Sequence, residues 1–380
     1  MVCARIFYTT FIDEKENKIL VGGIQNYIVS LNHIFLKNNI KTIVYVPSEF
    51  DFDKKIDNIR VIGIRTNIEE SIKNKMKNVL SKVVHTFGKE DILIWGSETI
   101  AIKSEFKNTL AIQHGIGFDL IQYNAIRKIW SNPLMSRIYK YMQCYKAVKN
   151  FLISEKTVCV DYNYLNWIRT QLPRTFLQKI EVIPNYATPS EKRNIIHFDT
   201  ENIKILFARR FSFERGSEIM LEIIPYFTNK YKNVSFTLCG EGPYGKTFQE
   251  KFGNNSQVTI TKFKVGESEE FNLNHHISLV PTYGSEGTSF SLLEAMACGS
   301  IPVASNVGGM TNVIIDAYNG YLVNPTTQDF INQIEEIIKN IDAHKVMSQK
   351  AYETIEMGVS SKIWEEKWIN TMRKFDLIKG

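Results

Sequence analysis

No run of about 18 apolar residues occurs in these 380 residues, which excludes an ordinary membrane-spanning helix. The first residues, MVCARIFYTTF, have neither the basic start nor the apolar centre of a secretory signal, so a cytoplasmic protein is expected. Cysteine is scarce. The five at positions 3, 144, 159, 239 and 298 are scattered and form no Cys-x-x-Cys pair. That argues against a disulfide framework or a zinc site and leaves reduced thiols. No Gly-x-Gly-x-x-Gly follows the first predicted strand, which makes a nicotinamide dehydrogenase the least favoured of the nucleotide-binding enzymes. Acidic residues are missing altogether from Leu120–Ser154 and from Ser71–Lys89.

What is present fits a two-domain α/β protein. Apolar residues make up 44% of the chain and charged residues 23%, in a length sufficient for two domains. The net charge of +6 is uneven: residues 1–187 hold 26 basic and 17 acidic side chains, residues 188–380 hold 20 and 23. A basic first half calls for an anionic partner. No nucleic-acid motif accompanies the charge, so nucleic acid is not expected. An anionic membrane surface, or a lipid-phosphate acceptor, fits better. Leu120–Ser154 is its most partner-like segment. There Arg127, Lys128, Arg137, Lys140, Lys146 and Lys149 are interleaved with aromatic and aliphatic residues. Such a stretch can lie on anionic lipid, or be an amphipathic helix with a solvated basic face.

Short apolar runs at 4–9, 43–46, 60–63, 92–95 and 109–113 alternate with helical periodicity, the pattern of a parallel sheet with helices on both faces. Gly22-Gly23 open the first helix and allow close backbone approach to a ligand, or form a plain strand-to-helix turn. Asp51-Phe52-Asp53 has the Asp-x-Asp spacing that can hold a divalent cation on a nucleotide diphosphate. Beside Lys54-Lys55 it reads as a solvated loop. The polar run 188–202 reads as a linker. It divides a first domain, 1–187, from a second, 203–358, with a final helical segment over 359–380. His275-His276 read as surface residues.

The chain is organised around residues 278–312. A strand leads into a Gly/Ser loop carrying Glu286, then a helix that Thr288 or Ser289 can cap, with Gly299 just past its end. Glu294 sits in an otherwise apolar helix, which calls for a partner. Glu286 precedes a helix N-terminus, where backbone N–H groups favour an anion. A ligand with hydroxyls at both ends and phosphates between them, such as a nucleotide sugar, suits that layout. Upstream, RRFSFERG places Arg210 and Arg215 around a strand-to-helix loop, a diphosphate clamp by residue type, with Arg209 toward solvent.

Glu-x7-Glu inside SEGTSFSLLEAMACG, followed by PVASNVGG, resembles the family 4 glycosyltransferases, which are retaining enzymes of the GT-B fold. The likeness is strongest over 203–325. It implies two Rossmann-like domains facing across a cleft that holds the donor, with the last helix crossing back to the first domain. It also implies transfer of a hexosyl or N-acetylhexosaminyl unit from a nucleotide diphosphate sugar, UDP-linked by preference, without a bound metal. By the same resemblance Arg210 and Arg215 stabilise the leaving diphosphate, and Glu294 holds ribose hydroxyls. Glu286 and His114, the latter in Gln113-His114-Gly115, position the sugar. Backbone around Gly22, Gly23, Gly287, Thr288 and Ser289 meets the phosphates. The glycine turn at Gly240 and the strand ending at Phe263 meet the base. The family carries Lys where this chain has Arg215. Composition favours an enzyme adding sugar to a lipid-linked saccharide of a bacterial surface polysaccharide, at the inner face of the cytoplasmic membrane. A GT-B nucleotide-sugar epimerase and a non-catalytic sugar-nucleotide-binding scaffold stay open.

Overall fold

The computed structural model describes residues 2–14, 16–20, 22–120, 132–192, 201–262, 267–284 and 286–378. The first domain contains Cys3–Phe7 (β1), Ile12–Asp13 (β2), Lys18–Ile19 (β3), Lys41–Ser48 (β4) and Phe52–Ile56 (β5). It continues with Ile59–Arg65 (β6), Ile92–Trp95 (β7), Thr109–Gln113 (β8), Lys156–Cys159 (β9) and Ile180–Val182 (β10). Eight of these form one sheet in the order β10-β9-β8-β7-β1-β4-β6-β5. All neighbours are parallel except β5 and β6. The second domain has a six-stranded, wholly parallel sheet of Ile203–Ala208 (β11), Val234–Cys239 (β12), Val258–Thr261 (β13), Ile277–Val280 (β14), Ile301–Ser305 (β15) and Tyr321–Val323 (β16), ordered β13-β12-β11-β14-β15-β16.

Central strands such as ILIW and IPVAS are buried at every position, because helices cover both faces of a parallel sheet. In each sheet the chain builds outward from one central strand, then returns to build on its other side. The crevice at that reversal, beyond the strands' carboxyl ends, is where open α/β sheets bind ligands. In the second domain the reversal lies between β11 and β14. Their register, Ile205 opposite Ile277 and Leu206 opposite Ser278, brings the loop after Ala208 against the loop after Val280.

The helix Ser361–Lys374 packs into the first domain. Trp364 and Trp368 are buried there, and Trp368 Nε1 donates to the Tyr27 hydroxyl at 3.1 Å. Lys37 pairs with Glu365 at 2.8 Å, and Lys374 pairs with Glu181. The chain therefore crosses between domains twice. The two crossings touch where Ala187 bridges to Ser360. Of the expected linker, residues 193–200 lie outside the described residues.

Two expectations are corrected. Asp51–Asp53 is not simply loop: residues 52–56 form the antiparallel edge strand β5, which exposes Asp53 and Lys55 and leaves Lys54 half-buried over the Phe52 ring. Asp53 is spent on Arg60 of β6, at 2.5 Å. His275 and His276 are buried rather than superficial. His275 Nδ1 donates to the Phe271 carbonyl at 2.6 Å, so its Nε2 accepts from the Thr237 hydroxyl at 2.7 Å. His276 Nδ1 accepts from the Lys204 amide at 2.9 Å. Both pin the start of β14 to the sheet, a role that side-chain polarity conceals.

Burial lowers the His275 pKa from 6.5 to about 4. The unfolded chain then binds a proton that the folded chain refuses between those values, so this histidine's contribution to stability falls as pH drops from 6.5 toward 4. At about 1.36 kcal/mol per unit the loss approaches ~3 kcal/mol. Thermal melts of His275→Gln and wild type across pH 4–7.5 should show a shallower acid limb in the variant. Parallel curves would exclude this group as a source of acid sensitivity.

Candidate active site

The site is built by the two loops that meet at the second domain's reversal point. Arg209 follows β11 directly and is buried, at 9% exposure, while Arg210 is exposed. Strand alternation explains the swap: consecutive residues at a strand's end point to opposite sides. The sequence-based assignment of Arg209 to solvent is thus reversed. Arg209 Nη2 lies 2.9 Å from Glu286 Oε2, and its Nη1 donates to the Thr282 hydroxyl. Arg215 makes a direct ion pair with the same Glu286 oxygen. After burial and Arg209, the charge of Arg210 also lowers the Arg215 pKa.

Burial lowers Arg209 to about 9, with Glu214 acting the other way. Arg215 is also lowered to about 9, by burial first and then by Arg209. Both still carry a proton at neutral pH. Two desolvated cations this close require an anion, and Glu286 supplies it. Glu214 and Asp119 add to the acids that favour the charged form of Arg215. Asp119, from the first domain, carries no sequence motif.

Gly216 links this loop to the helix Ser217–Lys230 with φ 82°, and a Cβ there would lie within 1.9 Å of the Pro281 carbonyl oxygen. Only glycine lets the Arg215 loop cross the end of β14 this closely.

The helix Phe290–Ala297 starts without a side-chain cap, contrary to the expected Thr288 or Ser289 cap. The Thr288 hydroxyl instead donates to the Val160 carbonyl of the first domain, and the Ser289 hydroxyl lies 3.1 Å from that of Ser291. The amides of this helix's first turn are left without a side-chain acceptor, a binding element for anions. The helix Gly23–Lys37 is likewise uncapped at Gly22, and Gly23 lies beside the Phe290 ring. Gly23 and the start of the helix Phe290–Ala297 therefore meet across the two domains.

One turn into the same helix, Glu294 accepts from Ser268 Oγ at 2.6 Å. Burial raises its pKa, and the Ser268 bond opposes that rise. Glu294 also acts on Tyr186, at the crossing between the domains. Gly240 lies at the end of β12 against the Arg209 carbonyl. Phe263 lies outside the described residues.

His114 leaves β8 on the first-domain side. Its Nε2 donates to the Gly96 carbonyl at 2.8 Å, so Nδ1 keeps its lone pair. Burial lowers its pKa to about 4, and the ring is neutral at pH 7. The His114 carbonyl packs on Gly287. Two further contacts close the seam: Asn163 donates to the Gly308 carbonyl, and Asn312 Oδ1 accepts from the Tyr162 amide at 3.0 Å. Asn312 is thus a seam residue. Among the described residues no group of three or more His, Cys, Asp or Glu is placed to hold a metal ion.

Residues 189–354 match the family of glycosyl transferases group 1. An uncharacterized glycosyltransferase of Methanocaldococcus jannaschii is 26% identical over 70% of this chain and 69% of its own length. The lipopolysaccharide 1,2-N-acetylglucosaminetransferase of Salmonella typhimurium is 22% identical over 52% of this chain and 55% of its own. Sucrose-phosphate synthase from Thermosynechococcus elongatus superposes with a TM-score of 0.77 at 13% identity, covering 99% of both chains. Anabaena HepE in complex with UDP and glucose gives 0.69 at 13%, covering 97% of this chain and 99% of its own.

Gly115 has φ 107°, and a Cβ there would stand 2.6 Å from the Gly287 amide nitrogen. Gly115→Ala should therefore part the domains or strain them, at a cost of about 1–3 kcal/mol. Small-angle scattering should show a larger radius of gyration, or melting a loss of several degrees. An unchanged radius and melting point would mean that the seam is not closed in solution.

These comparisons and the two facing sheets agree: the chain has the GT-B fold, and its residues 189–354 are similar to the glycosyl transferases group 1.

Proposed function

We propose that this protein is a retaining glycosyltransferase that moves a hexosyl or N-acetylhexosaminyl unit from a UDP-linked sugar to a saccharide acceptor. The observation that carries the reading is the arginine cluster on Glu286 beside an uncapped helix N-terminus, with Glu294 one turn further on. Arg209 joins Arg215 and Arg210 as the charges that receive a diphosphate. Guanidiniums bind phosphate oxygens in pairs, and a desolvated guanidinium is the stronger donor. Glu286 then turns from the arginines to the sugar hydroxyls, opposite the neutral His114. Glu294 holds the ribose. Backbone amides at Gly22, Gly23 and Gly287–Ser289 complete the phosphate site.

In this reaction the bond from the anomeric carbon to the diphosphate oxygen breaks as the acceptor oxygen bonds to the same face. The acceptor's proton passes to the leaving phosphate. Charge grows on the diphosphate, and fixed cations oppose it without moving. They supply the role that a metal ion plays elsewhere, so the reaction runs without one. The UDP preference draws on the Anabaena complex, and a lipid-linked acceptor in surface polysaccharide synthesis draws on the Salmonella relative.

Thermal shifts with UDP, GDP, ADP and dTDP, without metal, test the donor site. A nucleotide at about 100 times its dissociation constant adds about 2.7 kcal/mol, a shift of several degrees. UDP should give the largest shift, and Arg209→Ala and Arg215→Ala should each remove most of it. No shift with any of the four, or full shifts in both variants, would refute the arginine site.

Peripheral attachment to the inner membrane face rests on the helix Pro133–Phe151. Leu134, Ile138, Tyr141 and Tyr145 recur along one side of it and are exposed, with Arg137 and Lys140 beside them. An apolar stripe flanked by cations suits anionic lipid. No helix among the described residues is long and apolar enough to cross a membrane. Arg127, Lys128 and Trp130 lie outside the described residues. The protein should co-sediment with phosphatidylglycerol vesicles and not with phosphatidylcholine vesicles, and Ile138→Asp with Tyr141→Asp should abolish this. Equal sedimentation of the double variant would exclude this helix as the contact.

A further inference from the structure

A cavity of about 230 Å³ lies in the first domain, with His114 in its lining. It opens between the carboxyl ends of β7 and β8 and the helix Pro133–Phe151. Glu98, Gln113 and Tyr164 line one end, and Lys146 and Asn150 the other. The site described above uses none of these five residues.

The lining is polar and incompletely satisfied. Gln113 and Tyr164 are each only 1% exposed, yet Gln113 Oε1 and the Tyr164 hydroxyl are buried without hydrogen-bond partners. Buried polar atoms are nearly always paired, so this end of the cavity has a polar wall that is short of partners. Glu98 accepts from Ser97 Oγ at 3.4 Å, and backbone hydrogen bonds at Glu98 and Thr99 also favour its charged form. Burial pushes its carboxyl up to about 7, and the charge of Asp161 pushes the same way. It can therefore both donate to and accept from a sugar hydroxyl at neutral pH.

The opposite end is cationic. Lys73 Nζ donates to Asn150 Oδ1 at 2.7 Å. Its pKa is lowered first by burial and then by the charges of Lys146 and Lys149. An anion placed there relieves that mutual repulsion. The volume is below that of a drug-sized pocket and suits one sugar ring.

We propose that this cavity is the acceptor subsite, taking one sugar ring that carries an anionic substituent, with Glu98 binding ring hydroxyls and Lys146 selecting the anion. It shares His114 with the donor side, so a hydroxyl of the bound ring can face the anomeric carbon of the donor sugar. The assignment rests on the glycosyltransferase reading for its role, but not for its chemistry.

The test uses ligand-observed NMR titrations of the full chain with glucose, galactose and N-acetylglucosamine, each free and as its 1-phosphate, and with glucuronate. UDP is titrated separately. Wild type should bind at least one phosphate or glucuronate about tenfold more tightly than its neutral counterpart. Lys146→Ala should erase that preference and leave neutral sugars alone. Glu98→Gln, which keeps the shape of the neutral carboxyl, should weaken charged and neutral sugars alike by about tenfold. UDP affinity should stay within about twofold in both variants. A merely structural role for either residue predicts no such split. If Glu98→Gln does not fold, the loss of charge preference in Lys146→Ala decides the matter alone. UDP binding with no sugar binding, or sugar binding unchanged in both variants, overturns the acceptor assignment and leaves the donor site standing. Sugar binding that responds as stated, without UDP binding, keeps the cavity as a saccharide site and removes the donor reading. Failure of both removes both.

Discussion

One carboxylate holds the second domain's crevice together. Glu286 pairs with Arg209 and Arg215 through a single oxygen, at a point where burial depresses both guanidiniums. Without that anion, two desolvated like charges would face each other across the loop, and breaking a buried pair by removing one partner costs about 3–5 kcal/mol. The geometry exists because β11 and β14 are neighbours although two strands separate them in sequence. The reversal of strand order therefore produces both the loop contact and the charge cluster. Gly216 makes the approach close enough by removing the side chain that would strike Pro281.

The second constraint is the seam between the domains. It is made from backbone and small side chains: Gly115 against Gly287, Thr288 against Val160, Asn163 against Gly308. Few of these contacts bury large apolar surface, so the seam owes its specificity to close approach and hydrogen bonds. The firm joint lies elsewhere, where Trp364 and Trp368 anchor the last helix beneath Tyr27.

Much of this was legible from residue patterns, and the failures share a cause. Strand–helix alternation and the run 278–312 announced two parallel sheets and a Glu-flanked loop, because burial periodicity and turn chemistry are local. Arg209 and Arg210 could not be ranked, since which of two adjacent residues faces inward depends on strand register. His275 and His276 looked superficial because their partners, Thr237 and Lys204, lie on other strands. Thr288 looked like a helix cap because hydroxyls before a helix usually are, whereas its partner is a carbonyl 128 residues away.

The sequence alone determined the fold class, the charge division between the two halves, and the residue types available at each strand end. Those follow from local hydrophobic periodicity and composition. Only the tertiary structure decided which guanidiniums share Glu286, which hydroxyls bridge the seam, and that Glu98, Gln113 and Tyr164 surround one polar cavity. Each of these is a contact between distant segments, governed by the order of strands in a sheet, and strand order is a property of the folded chain.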